Sequence, residues 1–146
     1  MLVVVAIIGM ISAVAMPSIA AGIDSVRLRT ASDSIAGFLN AAVNRCDRLQ
    51  QAIVVVISPK DNCLTLYSSE PGFTRELKMP SGVTIEAVLP KLPDAAEDEA
   101  GRLVLLPGAA VPGIGVRIAN RHGSRRLIHL DPMTGFPHVD SVGAEE

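Results

Sequence analysis

MLVVVAIIGMISAVAMPSIAAGI, residues 1–23, contains no ionisable side chain; the first one is Asp24. As one helix the run would be about 35 Å long at 1.5 Å per residue, enough to cross the hydrocarbon core of a bilayer. In lipid every backbone N–H and C=O needs a partner within the segment, so a lone span is helical. Two other readings compete. A secretory signal peptide starts with basic residues and ends at a small-residue cut, but no basic residue precedes this run, and in AVAMPS (13–18) a proline sits just past the candidate cut. A buried core helix is normally apolar along one stripe, not all round over such a length. Pro17 removes a backbone donor and crowds the preceding turn, which predicts a kink or local unwinding over residues 13–17. Gly9, Ala13 and Ala20 are small enough to let neighbouring helices approach closely.

Helical character continues beyond Asp24, now as an amphipathic stripe. Leu28, Ile35, Ala42 and Leu49 recur every seven residues, with Ala31, Phe38 and Cys46 on the same face and Arg27, Arg29, Asp33, Arg45, Asp47 and Arg48 mostly elsewhere. The prediction is one helix over roughly residues 2–50, lipid-facing in its first half and core-facing in its second. After Gln51 the period changes. AIVVVIS (52–58) is β-branched and ends in the turn signal Ser58-Pro59-Lys60-Asp61-Asn62; CLTLY (63–67) alternates and pairs with it as a hairpin. RELKM (75–79), VTIEAVL (83–89), RLVLL (102–106), IGVRIA (114–119) and RRLIHLD (125–131) are the further strand candidates.

A helix followed by about six or seven strands implies an α+β fold, with the helix packed on an antiparallel β-sheet. The organisation reads as a transmembrane and assembly helix (1–23), its amphipathic continuation (24–51), a β-rich globular domain (52–140) and a frayed tail (141–146).

Composition supports this division. A chain of 146 residues fits one domain plus an appendage. Its mean hydropathy of +0.38 is concentrated in the first 23 residues. A net charge of −2 gives no global attraction to nucleic acid or to anionic lipid. With no Trp, one Tyr and three Phe, platforms for stacking bases or sugars are scarce. Cys46 and Cys63 are too few for a disulfide scaffold or a zinc site; they are either one bridge in an exported domain or two buried small hydrophobes.

The segment MLVVVAIIGMISAVAMPSIA resembles the N-terminal signature of type IV pilins and type II secretion pseudopilins. The match is an ordered string, Met1-Leu2-Val3-Val4-Val5-Ala6-Ile7-Ile8-Gly9, with Pro17 where that family has its helix proline. In the family a basic leader, a processing site and a glutamate-containing stretch precede such a segment. They are absent here, so Met1 reads as an internal position of a longer precursor, and leader cleavage and N-methylation concern residues outside this sequence. Further on, Leu106-Pro107-Gly108-Ala109-Ala110 and Arg125-Arg126-Leu127-Ile128-His129-Leu130-Asp131-Pro132-Met133-Thr134-Gly135 resemble the minor pseudopilin GspH and its relative FimT. The resemblance implies a long helix against two β-sheets and a low-copy subunit of a periplasmic filament that helps export folded proteins. It also implies a single-pass chain in the bacterial inner membrane, its globular domain in the periplasm. Its partners would be other major and minor pseudopilins, the inner-membrane assembly platform and the lipid bilayer. The assembly helix would be Met1–Gly9 with Ala13 and Pro17.

A FimT-like minor pilin acting in pilus assembly or DNA uptake is the alternative. Some such pilins bind DNA through a C-terminal Gly-Arg-x-Arg pattern, but the matching stretch here is Gly135-Phe136-Pro137-His138, without either arginine. Arg117, Arg121, Arg125 and Arg126 form the one basic cluster that would offer phosphate contacts, against the plainer reading of a solvated strand-and-turn face. Nucleic acid is therefore not the expected partner. Catalysis is not expected either: no triad spacing, metalloprotease motif or phosphate loop is present, and Gly113-Ile114-Gly115 serves a turn. His122 and His129 are the remaining metal candidates, and the acidic stretch Asp94–Glu99 lacks the ligand alternation of a calcium loop. No cofactor or metal is expected.

Overall fold

The computed structural model describes residues 1–69, 71–90 and 100–143, except for the side chains of residues 14–18. One helix, α1, runs from Leu2 to Leu49. It ends where Gln50 turns into the left-handed region (φ 51°, ψ 40°), which stops the i to i−4 ladder and releases the chain into the β-branched run that follows. The strands are β1 (Ile53–Ser58), β2 (Cys63–Ser68), β3 (Thr74–Lys78), β4 (Val83–Leu89), β5 (Gly101–Leu105), β6 (Gly115–Asn120), β7 (Arg125–Leu130) and β8 (Pro137–Val142).

They form two four-stranded antiparallel sheets, ordered β3-β2-β1-β5 and β4-β6-β7-β8. Alternation along β1 buries Ile53, Val55 and Ile57. In the second sheet Val116, Ile118, Ile128 and Leu130 do the same. Both buried faces meet one face of α1: Leu28, Ala31, Ile35, Phe38, Leu39, Ala42 and Cys46. Ser32 lies in that face, and its hydroxyl donates to the Arg29 carbonyl at 2.7 Å, which satisfies a polar group in an apolar layer. The expected α+β architecture is what the structure has, a long N-terminal helix packed on antiparallel sheets.

Several expectations change. The seven-residue stripe ends one step early, because Leu49 is exposed where the helix stops. An eighth strand, β8, pairs along the whole of β7. Pro137, His138 and Asp140 break its apolar pattern, and it is tolerated because it is an edge strand whose outward side faces no ladder. Its pairing reaches Val142, two residues into the stretch read as frayed. Helical assignment continues through position 17, so local unwinding there is not found; the Pro17 side chain lies outside the described residues. The acidic stretch 94–99 also lies outside them. Over the described residues no helix is long and apolar enough to cross a membrane.

Candidate functional site

From Leu28 onward α1 has a protected face; before it, the described large apolar side chains stand open. Leu2 is 88% exposed, Met10 77% and Val26 65%, and Val3, Val4, Val5, Ile7, Ile8, Ile11, Ile19 and Ile23 are exposed as well. The residues expected to form the assembly helix, Met1, Leu2, Val3, Val4, Val5, Ala6, Ile7, Ile8, Gly9 and Ala13, all lie on this unpartnered stretch. A Cβ built on Gly9 would meet nothing within 4 Å. The space at Gly9 is thus not used by this chain's own packing. Exposed apolar area of this extent is unusual for a free soluble surface and marks a contact with a membrane or a protein.

The stretch meets the domain at Asp24, whose side chain is 12% exposed. His122 Nε2 lies 3.2 Å from one carboxylate oxygen and Arg27 Nη1 3.6 Å from the other. His122 comes from the β6–β7 turn, which Asn120 organises: its side-chain oxygen accepts the backbone N–H groups of His122 and Ser124 at 3.0 and 2.9 Å. No local sequence signal announces this junction, since Asp24 and His122 lie 98 residues apart in the chain.

The four arginines of the basic cluster do not form one surface. β7 places Arg125 and Leu127 on its outer face and Arg126, opposite the buried Ile118, on the other. Arg125 is already engaged: its Nε donates to both Glu86 carboxylate oxygens at 3.2 and 3.0 Å. Glu86 reaches it because the β4–β6 register shifts between Ile85 and Ala87, a bulge that re-aims this side chain. Arg117 stands on the outer face with its Nε buried and without a hydrogen-bond partner, and Arg121 lies in the turn, over Gly82.

The histidines also separate. His122 faces Asp24, while His129 stacks on His138 (centroids 5.8 Å apart, planes at 28°) and points Nδ1 at Asp140 Oδ2, 3.5 Å away. His122 and His129 are therefore not brought together as metal ligands. Among the described residues no group of three or more His, Cys, Asp or Glu side chains could hold a metal ion. Cys46 and Cys63 are free and buried, so of the two readings the structure takes the second: they pack as small hydrophobes and are not joined. Burial pushes both thiols up; the Asp47 charge adds to this at Cys46, and a hydrogen bond with Thr65 opposes it at Cys63.

No family model matches this chain, and no curated protein sequence matches it. Among solved structures, the chain is similar to the minor pseudopilin EpsH from the Type 2 Secretion System of Vibrio cholerae, at 12% sequence identity and a TM-score of 0.59, over 79% of this chain and 97% of that one. At that identity the likeness shows a shared fold.

Proposed function

We propose that the chain is a minor pseudopilin of a type II secretion pseudopilus, and that residues 1–26 of α1 pack among like helices of neighbouring subunits in a filament built on the inner membrane. The observation that carries this reading is the division of one continuous helix into a half with a buried face and an apolar half whose described large apolar side chains are exposed. The pilin-like N-terminal string and the fold shared with a solved minor pseudopilin support the same reading. In this reading the subunit waits in the inner membrane as a single-pass protein, with its domain in the periplasm and lipid around the apolar segment. Lipid tails are as apolar as leucine, so the transfer into a filament is favoured by close helix packing and not by a hydrophobic drive. Gly9 and Ala13 then matter for their lack of bulk.

The double variant Gly9→Leu/Ala13→Leu tests this. It is expected to fractionate with membranes as the parent does, yet to be recovered several-fold less in sheared filaments. Equal recovery of variant and parent in filaments contradicts the proposal. A DNA-binding role gains no support: the arginines fall on two faces, and Glu86 neutralises Arg125.

A further inference from the structure

The uncharged run of α1 ends among arginines. Arg27 is the first basic residue of the chain, and the exposed apolar side chains of Ile23 and Val26 stand just before it. Leu28 is buried against the domain. Successive helical residues are about 100° apart, so Arg27 and Arg29 flank that contact on either side. Both are exposed. The domain adds a third arginine at the same end. Arg121 is exposed in the β6–β7 turn, and a Cβ built on Gly82 would lie 3.3 Å from its Nε. That built atom would also lie 3.7 Å from Asp24 Oδ1, so Arg121 and α1 both border Gly82 where the helix leaves the domain. Negative charge at this end is withheld. Asp24 is 12% exposed and already faces His122 and Arg27, and Glu86 is held by Arg125. Among the described residues neither Arg29 nor Arg121 has an ion pair.

We propose that Arg27, Arg29 and Arg121 form a basic collar that seats the domain on an anionic phospholipid surface, with the guanidinium groups on headgroup phosphates. The inference rests on the reading in which residues 1–26 wait in lipid. Position and charge both favour this occupant. The collar directly follows a stretch of 23 residues without a charge, so it reaches headgroup depth when that stretch is inserted. Guanidinium donors match phosphate oxygens two at a time, and each arginine near an anionic leaflet strengthens attachment about fivefold. The net charge of −2 does not oppose this, because exposed charges further off than about 8 Å are screened at physiological salt. The seat holds the β6–β7 turn at the headgroups. It leaves the β7–β8 turn, at the other end of β7, in water.

NMR of the 146-residue chain in lipid nanodiscs with nitroxide-tagged headgroups tests the collar. The readout is paramagnetic broadening of the Arg121, His122 and Gly123 amides, with the Met133, Thr134 and Gly135 amides as reference. In discs of phosphatidylglycerol and phosphatidylcholine in equal parts, the first set is expected to broaden and the reference to stay sharp. Three changes are each expected to cut that broadening at least about threefold: discs of phosphatidylcholine alone, about 1 M salt, and Arg29→Gln/Arg121→Gln. Arg48→Gln/Arg75→Gln removes the same charge elsewhere and is expected to leave it unchanged; Arg48 stands about 28 Å beyond Arg29 along α1, and Arg75 lies on β3. The lipid and salt arms use the parent chain, so they decide alone if the variant misfolds. Equal broadening in both kinds of disc overturns the collar and leaves these arginines to a protein partner. A chain that inserts into both discs without broadening at the turn also overturns it, while the lipid reading of the helix stands. A chain that enters neither disc overturns both.

Discussion

Asn62 shows how much one side chain can organise. It takes the left-handed conformation (φ 54°) that turns β1 into β2, and its carbonyl accepts the Met79 N–H at 3.1 Å. Its side-chain amide donates to the Val83 carbonyl at 2.8 Å, and its side-chain oxygen accepts the Ile85 N–H at 2.9 Å. One residue in the β1–β2 turn therefore holds the leading end of β4 in the second sheet. Asn62→Ala is expected to cost about 1–3 kcal/mol in denaturant unfolding, with added backbone strain, because both side-chain bonds go and Ala disfavours that φ. A change under about 0.5 kcal/mol contradicts the role. Asp131 works similarly in the β7–β8 turn. Its carboxylate accepts the Met133 N–H at 2.8 Å and the Thr134 hydroxyl at 3.0 Å, and these bonds hold its carboxyl below the usual range. A carboxyl that is harder to protonate when folded contributes stability that is present above the ordinary carboxylate range and lost as pH falls through the lowered value. An NMR titration is expected to place the Asp131 midpoint below that of an unperturbed aspartate, and Asp131→Asn to remove that acid-dependent part of the turn's order. The sequence signals the first turn through Ser58-Pro59-Lys60-Asp61-Asn62, whereas Asp131 reads there as the last residue of a strand candidate. It does not signal the bonds to Val83 and Ile85, which depend on where a distant strand arrives.

The helix was legible at the scale of elements because its spacing repeats: Leu28, Ile35 and Ala42 mark one face, and all are buried. The strands were legible wherever alternation and β-branching coincide, as in β1. β8 was not, because Pro137, His138 and Asp140 leave it no apolar alternation to read. The Asp24 junction and the bulge that turns Glu86 toward Arg125 were illegible for another reason, since they arise from register between strands and not from local periodicity. The two halves of α1 give a direct contrast in energetics. Leu39 is fully buried between the sheets, so Leu39→Ala is expected to cost about 2–5 kcal/mol in unfolding free energy. Val3→Ala, on the exposed half, is expected to change domain stability by less than about 0.5 kcal/mol. Equal losses at both positions contradict the division of the helix.

The whole molecule is a domain packed on one face of the C-terminal half of a helix whose described apolar side chains before Leu28 it leaves exposed. The two sheets close the core without the first 26 residues, as the buried set starting at Leu28 shows. That asymmetry suits a subunit whose head is self-sufficient and whose helix is completed by an assembly. Binary patterning made both halves visible in the sequence, whereas the identity of the neighbours lies in surfaces this chain does not contain. The central claim is that the exposed half of α1 is an inter-subunit contact. Site-specific photo-crosslinking in the producing cells tests it most directly, with the probe at Ile7 or, as a control, at the exposed Tyr67 on β2. The account predicts adducts from Ile7 to the N-terminal helices of other pilin-like subunits and none of that kind from Tyr67. Absence of helix-to-helix adducts from Ile7, in cells that have assembled the filament, would contradict it.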